Sequence, residues 1–151
     1  MRKRETAIFT NMCMVYDNKG NVLVQNRKDK KWSGITFPGG HVELTESFSD
    51  SVIREVLEET GLIIESPQLC GVKQWQENDG VRYVVLCYKT NHFSGNLLSS
   101  DEGEVSWVHL SEIHKMKLAS GMEYMLQLFI NDDISEHCFL NENGKWINVL
   151  K

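Results

Sequence analysis

The stretch from Gly40 to Leu62 narrows the fold more than any other part of the chain. It reads Gly40, five residues, Glu46, seven residues, then Arg54-Glu55-Val56-Leu57-Glu58-Glu59-Thr60-Gly61-Leu62. Its second half is a helix with marked ends. Ser47 is a suitable N-cap with Asp50 at the third helical position, and Gly61 stands where a helix closes in left-handed backbone. Phe48, Val52 and Val56, with Ile53 and Leu57 beside them, supply an apolar stripe. Glu55, Glu58 and Glu59 fall at i, i+3 and i+4, so three carboxylates share one side. Like charges at that spacing destabilise a helix by a few tenths of a kcal/mol per pair. Arg54 pairs with Glu58 one turn on, yet one cation leaves the group short of positive charge. A divalent ion would cancel the repulsion, and hard oxygen ligands suit Mg²⁺ or Mn²⁺ rather than zinc.

The rest of the chain reads as strands around that helix. Ile8 to Tyr16 and Val22 to Gln25 are strands joined by a turn at Asp17-Asn18-Lys19-Gly20-Asn21. Trp32 to Gly40, with three glycines and Pro38, is expected to be irregular. Leu69 to Gln76 and Val81 to Lys89 form a hairpin about Glu77-Asn78-Asp79-Gly80. Leu97 to Glu104 is a loop, Val105 to Leu110 a short strand and Met122 to Ile130 a second helix. Cys138 to Leu150 is a terminal hairpin about Glu142-Asn143-Gly144. With no repeat or linker, residues 1–151 read as a single domain, a central mixed sheet with two helices.

Composition limits the partners. With 16 basic and 21 acidic side chains the net charge is -5, which argues against duplex nucleic acid as a ligand. A small anion is not excluded, because a bound cation inverts the local field. Cys13, Cys70, Cys87 and Cys138 form no C-x-x-C pair, and the first three sit in apolar runs as buried thiols. No apolar run nears the ~20 residues of a membrane span, and Met1-Arg2-Lys3-Arg4-Glu5 is not followed by an apolar segment. The expectation is a soluble cytoplasmic protein without membrane attachment. A homodimer is also expected, formed through apolar surface near the second helix.

Glutamate-rich helix faces are mostly plain solvated surface. The full spacing, G-x5-E-x7-R-E-U-x-E-E-x-G-U with U a bulky aliphatic, fixes nine positions without departure. Chance agreement somewhere in a chain this long is on the order of one in a million or less. This signature is the Nudix box, and the chain resembles the Nudix hydrolases, in particular MutT-like members of the 8-oxo-dGTP diphosphatase type. The Trp32 to Glu43 stretch and the Glu102 to Trp107 element carry the narrower likeness.

The resemblance implies a Nudix-type α/β/α sandwich, an α/β fold with a central mixed sheet and a loop-helix-loop catalytic motif. It implies Mg²⁺- or Mn²⁺-dependent hydrolysis of a nucleoside diphosphate-linked substrate, with water attacking a phosphoanhydride. The most fitting substrate is a nucleoside triphosphate, oxidised or not, such as 8-oxo-dGTP, released as monophosphate and pyrophosphate. By position, Glu55, Glu58 and Glu59 are the metal ligands, joined by the Gly40 carbonyl and by a loop glutamate, Glu102 with Glu104 as the alternative. Arg54 orients a glutamate, Glu46 steadies the loop-helix-loop, and Glu55 or Glu58 is the base. Outside the box, Thr10 and Asn11 offer hydrogen bonds to a base edge. Trp32, Phe37, Trp75 and Tyr83 are candidates for stacking, weighed against plain core packing. Lys28, Lys30 and Lys31 would steer phosphates or else form a solvated loop. ADP-ribose or nucleotide-sugar, dinucleoside polyphosphate and RNA 5′-end hydrolysis are the alternatives, with a non-catalytic nucleotide-binding domain of the same fold as the rival. Pro67 directly after the box comes too early for the ADP-ribose pattern. Retention of every box carboxylate weighs against the non-catalytic reading.

Overall fold

Apolar residues on the first strands alternate between two cores, and this sets the layers. The computed structural model describes residues 1–151. Strand β1 (Ala7–Val15) sends Met12 and Met14 to one core and Cys13 and Val15 to the other. Strand β2 (Asn21–Arg27) does the same, with Val22 and Val24 on one side and Leu23 on the other. A strand buried on both faces is the mark of a sheet covered by helices on both sides. Helix α1 (Phe48–Thr60) covers one face through Val52 and Val56. Helix α2 (Met122–Ile130) covers the other through Met122, Met125, Leu128 and Phe129.

The strand layer has two parts. Five strands run in the order β1-β6-β5-β9-β10, with β5 at Gln68–Gln76, β6 at Arg82–Thr90, β9 at Glu136–Glu142 and β10 at Lys145–Leu150. This sheet is mixed: β1 and β6 are parallel, as are β5 and β9, while the two hairpins are antiparallel. Three strands form an antiparallel sheet in the order β3-β2-β8, with β3 at Gly34–Thr36 and β8 at Gly103–His109. A two-stranded ribbon of β4 (Leu62–Glu65) and β7 (His92–Gly95) places Leu62 and Ile64 against α1. The fold is the expected α/β sandwich with a mixed sheet.

The β5–β6 hairpin, the terminal hairpin and both helices lie where the sequence puts them. The stretch expected to be irregular contains β3, and β4 and β7 were not foreseen. Such pieces are too short to show a period and exist because a neighbour pairs with them. The strand expected from Val105 starts at Gly103, and a 3₁₀ turn follows over Leu110–Lys115. In α1 only Val52 and Val56 of the apolar stripe are fully buried, whereas Phe48 and Leu57 are exposed. The apolar face of α2 is core, with Ile130 its one large apolar side chain that is exposed. All four cysteines are free; Cys13, Cys87 and Cys138 are buried and Cys70 is half-buried. No helix is long and apolar enough to cross a membrane.

Candidate active site

The site is built from α1 and the loop that runs into it. Ser47 Oγ accepts the Asp50 amide at 3.0 Å and starts the helix. Gly61, at φ 78°, ends it by donating its amide to the Leu57 carbonyl at 2.9 Å. Between these caps Arg54 gathers the acidic side chains. Its Nε and Nη2 donate to the two Glu46 oxygens at 2.7 and 2.9 Å, a bidentate pair. Its Nη1 donates to Glu55 at 2.9 Å and Glu58 at 3.2 Å, and Nη2 also reaches the His41 carbonyl at 3.0 Å. The Arg54 contact holds the Glu46 carboxyl well below the usual range, at about 2.

The loop before the helix is sewn to β1. The Asn11 amide donates to the Gly40 carbonyl at 2.8 Å, and the Cys13 amide to that of Pro38 at 2.8 Å. The Asn11 side chain closes the seam, with Nδ2 donating to Ser51 Oγ at 2.9 Å and Oδ1 accepting the Gly40 amide at 3.0 Å. A Cβ on Gly40 would push the Glu55 carboxyl aside, and one on Gly39 would fall on the Asn11 carbonyl of β1.

Glu59 is the most constrained of the acids. It is only 5% exposed, and its Oε2 accepts the Gly39 amide at 3.0 Å and Gln25 Nε2 at 3.3 Å. Burial pushes its pKa up to about 7; the Gly39 amide opposes the shift, and the charges of Glu55 and Glu102 add to it. Burial also raises Glu55, with Arg54 opposing. The other end of the Gln25 amide, Oε1, is buried without a partner. Carboxylates whose pKa burial raises, beside an orphaned acceptor, describe a site short of positive charge.

These groups open into a cavity of about 660 Å³. Gly40, Glu55, Glu59 and Glu102 line its acidic part, and Thr10, Asn11, Trp32, Phe37, Trp75 and Tyr83 also reach its wall. Glu58 does not line it; it is exposed and tied to Arg54. Glu104, opposite Asn26 in the sheet, does not line it either. Several of the expected base-reading groups are already engaged. The Thr10 hydroxyl donates to the Val84 carbonyl at 3.1 Å, and both ends of the Asn11 amide hold the seam. Trp32 donates its indole N–H to the Ser120 carbonyl at 2.8 Å, with Arg27 5.2 Å over its ring. Phe37 is 1% exposed and packs edge-on against Phe129. Lys31 lines the cavity, whereas Lys28 and Lys30 do not. The wall also holds Arg27, Lys73, Met125 and Phe139, which the sequence does not single out. Lys73 carries the one signal that could have been read: a charge two residues before Trp75, on the same side of a strand.

Comparison with known proteins decides the family. The NUDIX domain matches residues 9–129. The chain belongs to the Nudix family. A Nudix hydrolase of uncharacterised function from Bacillus subtilis, YvcI, is 32% identical over 126 residues, covering 80% of this chain and 77% of that one. An ADP-ribose pyrophosphatase from Methanocaldococcus jannaschii is 32% identical over 103 residues, covering 66% of this chain and 60% of that one. The MutT protein of Bacillus halodurans has the same fold, with a TM-score of 0.78 at 23% identity over 95% of this chain and 97% of that one. The protein is thus a Nudix hydrolase, an enzyme acting on nucleoside diphosphate-linked substrates.

Nudix hydrolases generally use divalent metal ions, and the residues here fit one. As the side chains lie, no three His, Cys, Asp or Glu residues converge on one point, and Arg54 holds Glu55 and Glu58. The donors are nonetheless hard oxygens, and the charge deficit at Glu59 and the unpartnered Gln25 acceptor are what a cation would relieve.

Proposed function

We propose that this chain is a Mg²⁺-dependent nucleoside triphosphate pyrophosphohydrolase that releases monophosphate and pyrophosphate, with 8-oxo-dGTP the first substrate to try. One observation carries the reading. A single cavity joins the carboxylates of Glu55, Glu59 and Glu102 to a wall of aromatic side chains, so phosphates and a base can occupy it together. The Gly40 carbonyl and Glu55, Glu58, Glu59 and Glu102 would hold Mg²⁺ or Mn²⁺. The bound ion supplies charge neutralisation on the phosphates and a more acidic water. Arg54 keeps Glu55 and Glu58 oriented through its forked hydrogen bonds. Glu55 takes the proton from the attacking water; what supports it over Glu58 is that Glu55 lines the cavity and Glu58 does not. Arg27 and Lys31 offset charge at the rim, where a polyphosphate would enter.

A second reading is hydrolysis of ADP-ribose. It is favoured by the relative from Methanocaldococcus jannaschii, and opposed by the absence of a proline shortly downstream of the box, Pro38 and Pro67 being the only prolines. Phosphate release from a panel separates the two, with coupled pyrophosphatase for triphosphates and coupled phosphatase for ADP-ribose, nucleotide sugars and diadenosine polyphosphates. Turnover of triphosphates that is at least ten times faster than that of ADP-ribose supports the proposal. The opposite order replaces it with the second reading.

A further inference from the structure

Lys73 stands apart in the cavity. Its side chain is half-buried on β5, and its ammonium makes no ion pair and no hydrogen bond with any protein group. It lies 5.3 Å from the centre of the Trp75 ring and 5.9 Å from that of Phe139. A Cβ on Gly121 would come within 3.1 Å of Nζ, so the lack of a side chain there keeps room for the ammonium. Burial lowers its pKa. A half-buried cation that faces the cavity with no carboxylate beside it can take its partner from the substrate.

Register locates that partner. Lys73 pairs with Val85, which pairs with Thr10, while Gly40 and His41 lie along the outer side of β1. From the Gly40 loop to β5 is about three strand spacings, roughly 14 Å. The ammonium is therefore on the far side of the cavity from the acidic end, where a substrate with its phosphates at Glu55 and Glu59 places its base. We propose that Lys73 reads the base, donating to the O6 acceptor of a guanine-type ring. This rests on the triphosphate reading above. An ammonium has three donors and no acceptor. Guanine presents O6 as an acceptor, in its ordinary and its 8-oxo form alike, where adenine carries an amino donor.

The test compares wild type with Lys73→Met and Lys73→Arg. Wild type prefers dGTP to dATP in kcat/KM. In Lys73→Met that ratio falls by about tenfold or more, carried by KM, and Lys73→Arg keeps most of it. A ratio unchanged in Lys73→Met, or equal losses for both substrates, overturns the assignment. Calorimetry with dGMP and dAMP in the absence of metal supplies a reading that does not need turnover. Tighter dGMP binding in wild type, lost in Lys73→Met, supports base reading even if no triphosphate is hydrolysed, in which case only the proposed activity fails. Equal binding of both nucleotides by wild type overturns the inference.

Discussion

Arg54 and Glu59 hold the site together in different ways. Arg54 bonds three carboxylates and a carbonyl with a planar fork that lysine cannot copy. Arg54→Lys is therefore expected to lower kcat/KM by about 100-fold and to destabilise the fold by about 1–2 kcal/mol, read by steady-state kinetics and urea unfolding. Glu59 acts through its charge. Its folded pKa of about 7 lies above the ordinary 4.5, so the fold favours the protonated acid. That contribution is fully present below pH 4.5 and is lost as pH rises through 7. Melting curves in chelator should show wild type losing on the order of 2–3 kcal/mol over this window, and Glu59→Gln should not. Adding Mg²⁺ at pH 8 should raise the wild-type Tm and leave Glu59→Gln nearly unmoved; parallel curves would contradict this account. Lys73→Met should raise the Tm in a thermal melt, because burial disfavours the Lys73 charge. The carboxylates were legible because one helix carries them at a fixed spacing. Lys73, Arg27 and Phe139 were not, since they meet on strands whose order no local pattern states.

At the scale of elements, both ends of α1 could be read from the residues that cap it. Ser47 and Gly61 have chemistry that only a helix end uses, and both caps are present. Gly61→Ala is expected to be destabilising by about 2 kcal/mol, from a φ of 78° and from a Cβ placed 2.5 Å from the Asn96 carbonyl. A Tm drop of about 6 °C would register it. The hairpins were legible through their turns, Asn78-Asp79-Gly80 and Asn143-Gly144. The three- and four-residue strands β3, β4 and β7 were not, because pairing and not pattern makes them strands. The stripe on α1 was read too broadly: a helix on one face of a sheet buries a narrow seam, and here that seam is Val52 and Val56.

At the scale of the whole molecule, two helices enclose a strand layer, and the cavity opens where the glycine loop, β1 and α1 meet the α2 face of the five-stranded sheet. The net charge of -5 sets the molecule against polyanions, so a small phosphorylated substrate needs a cation at the acidic end. Phosphates then lie at one side of the cavity and the base at the other. The most direct test is to separate the products of dGTP incubated with Mg²⁺ and with chelator, for wild type and Glu55→Gln. Wild type with Mg²⁺ should give equimolar dGMP and pyrophosphate, none should form with chelator, and Glu55→Gln should be at least 100-fold slower. Formation of dGDP and phosphate, or turnover that survives chelation and the Glu55→Gln change, would contradict it.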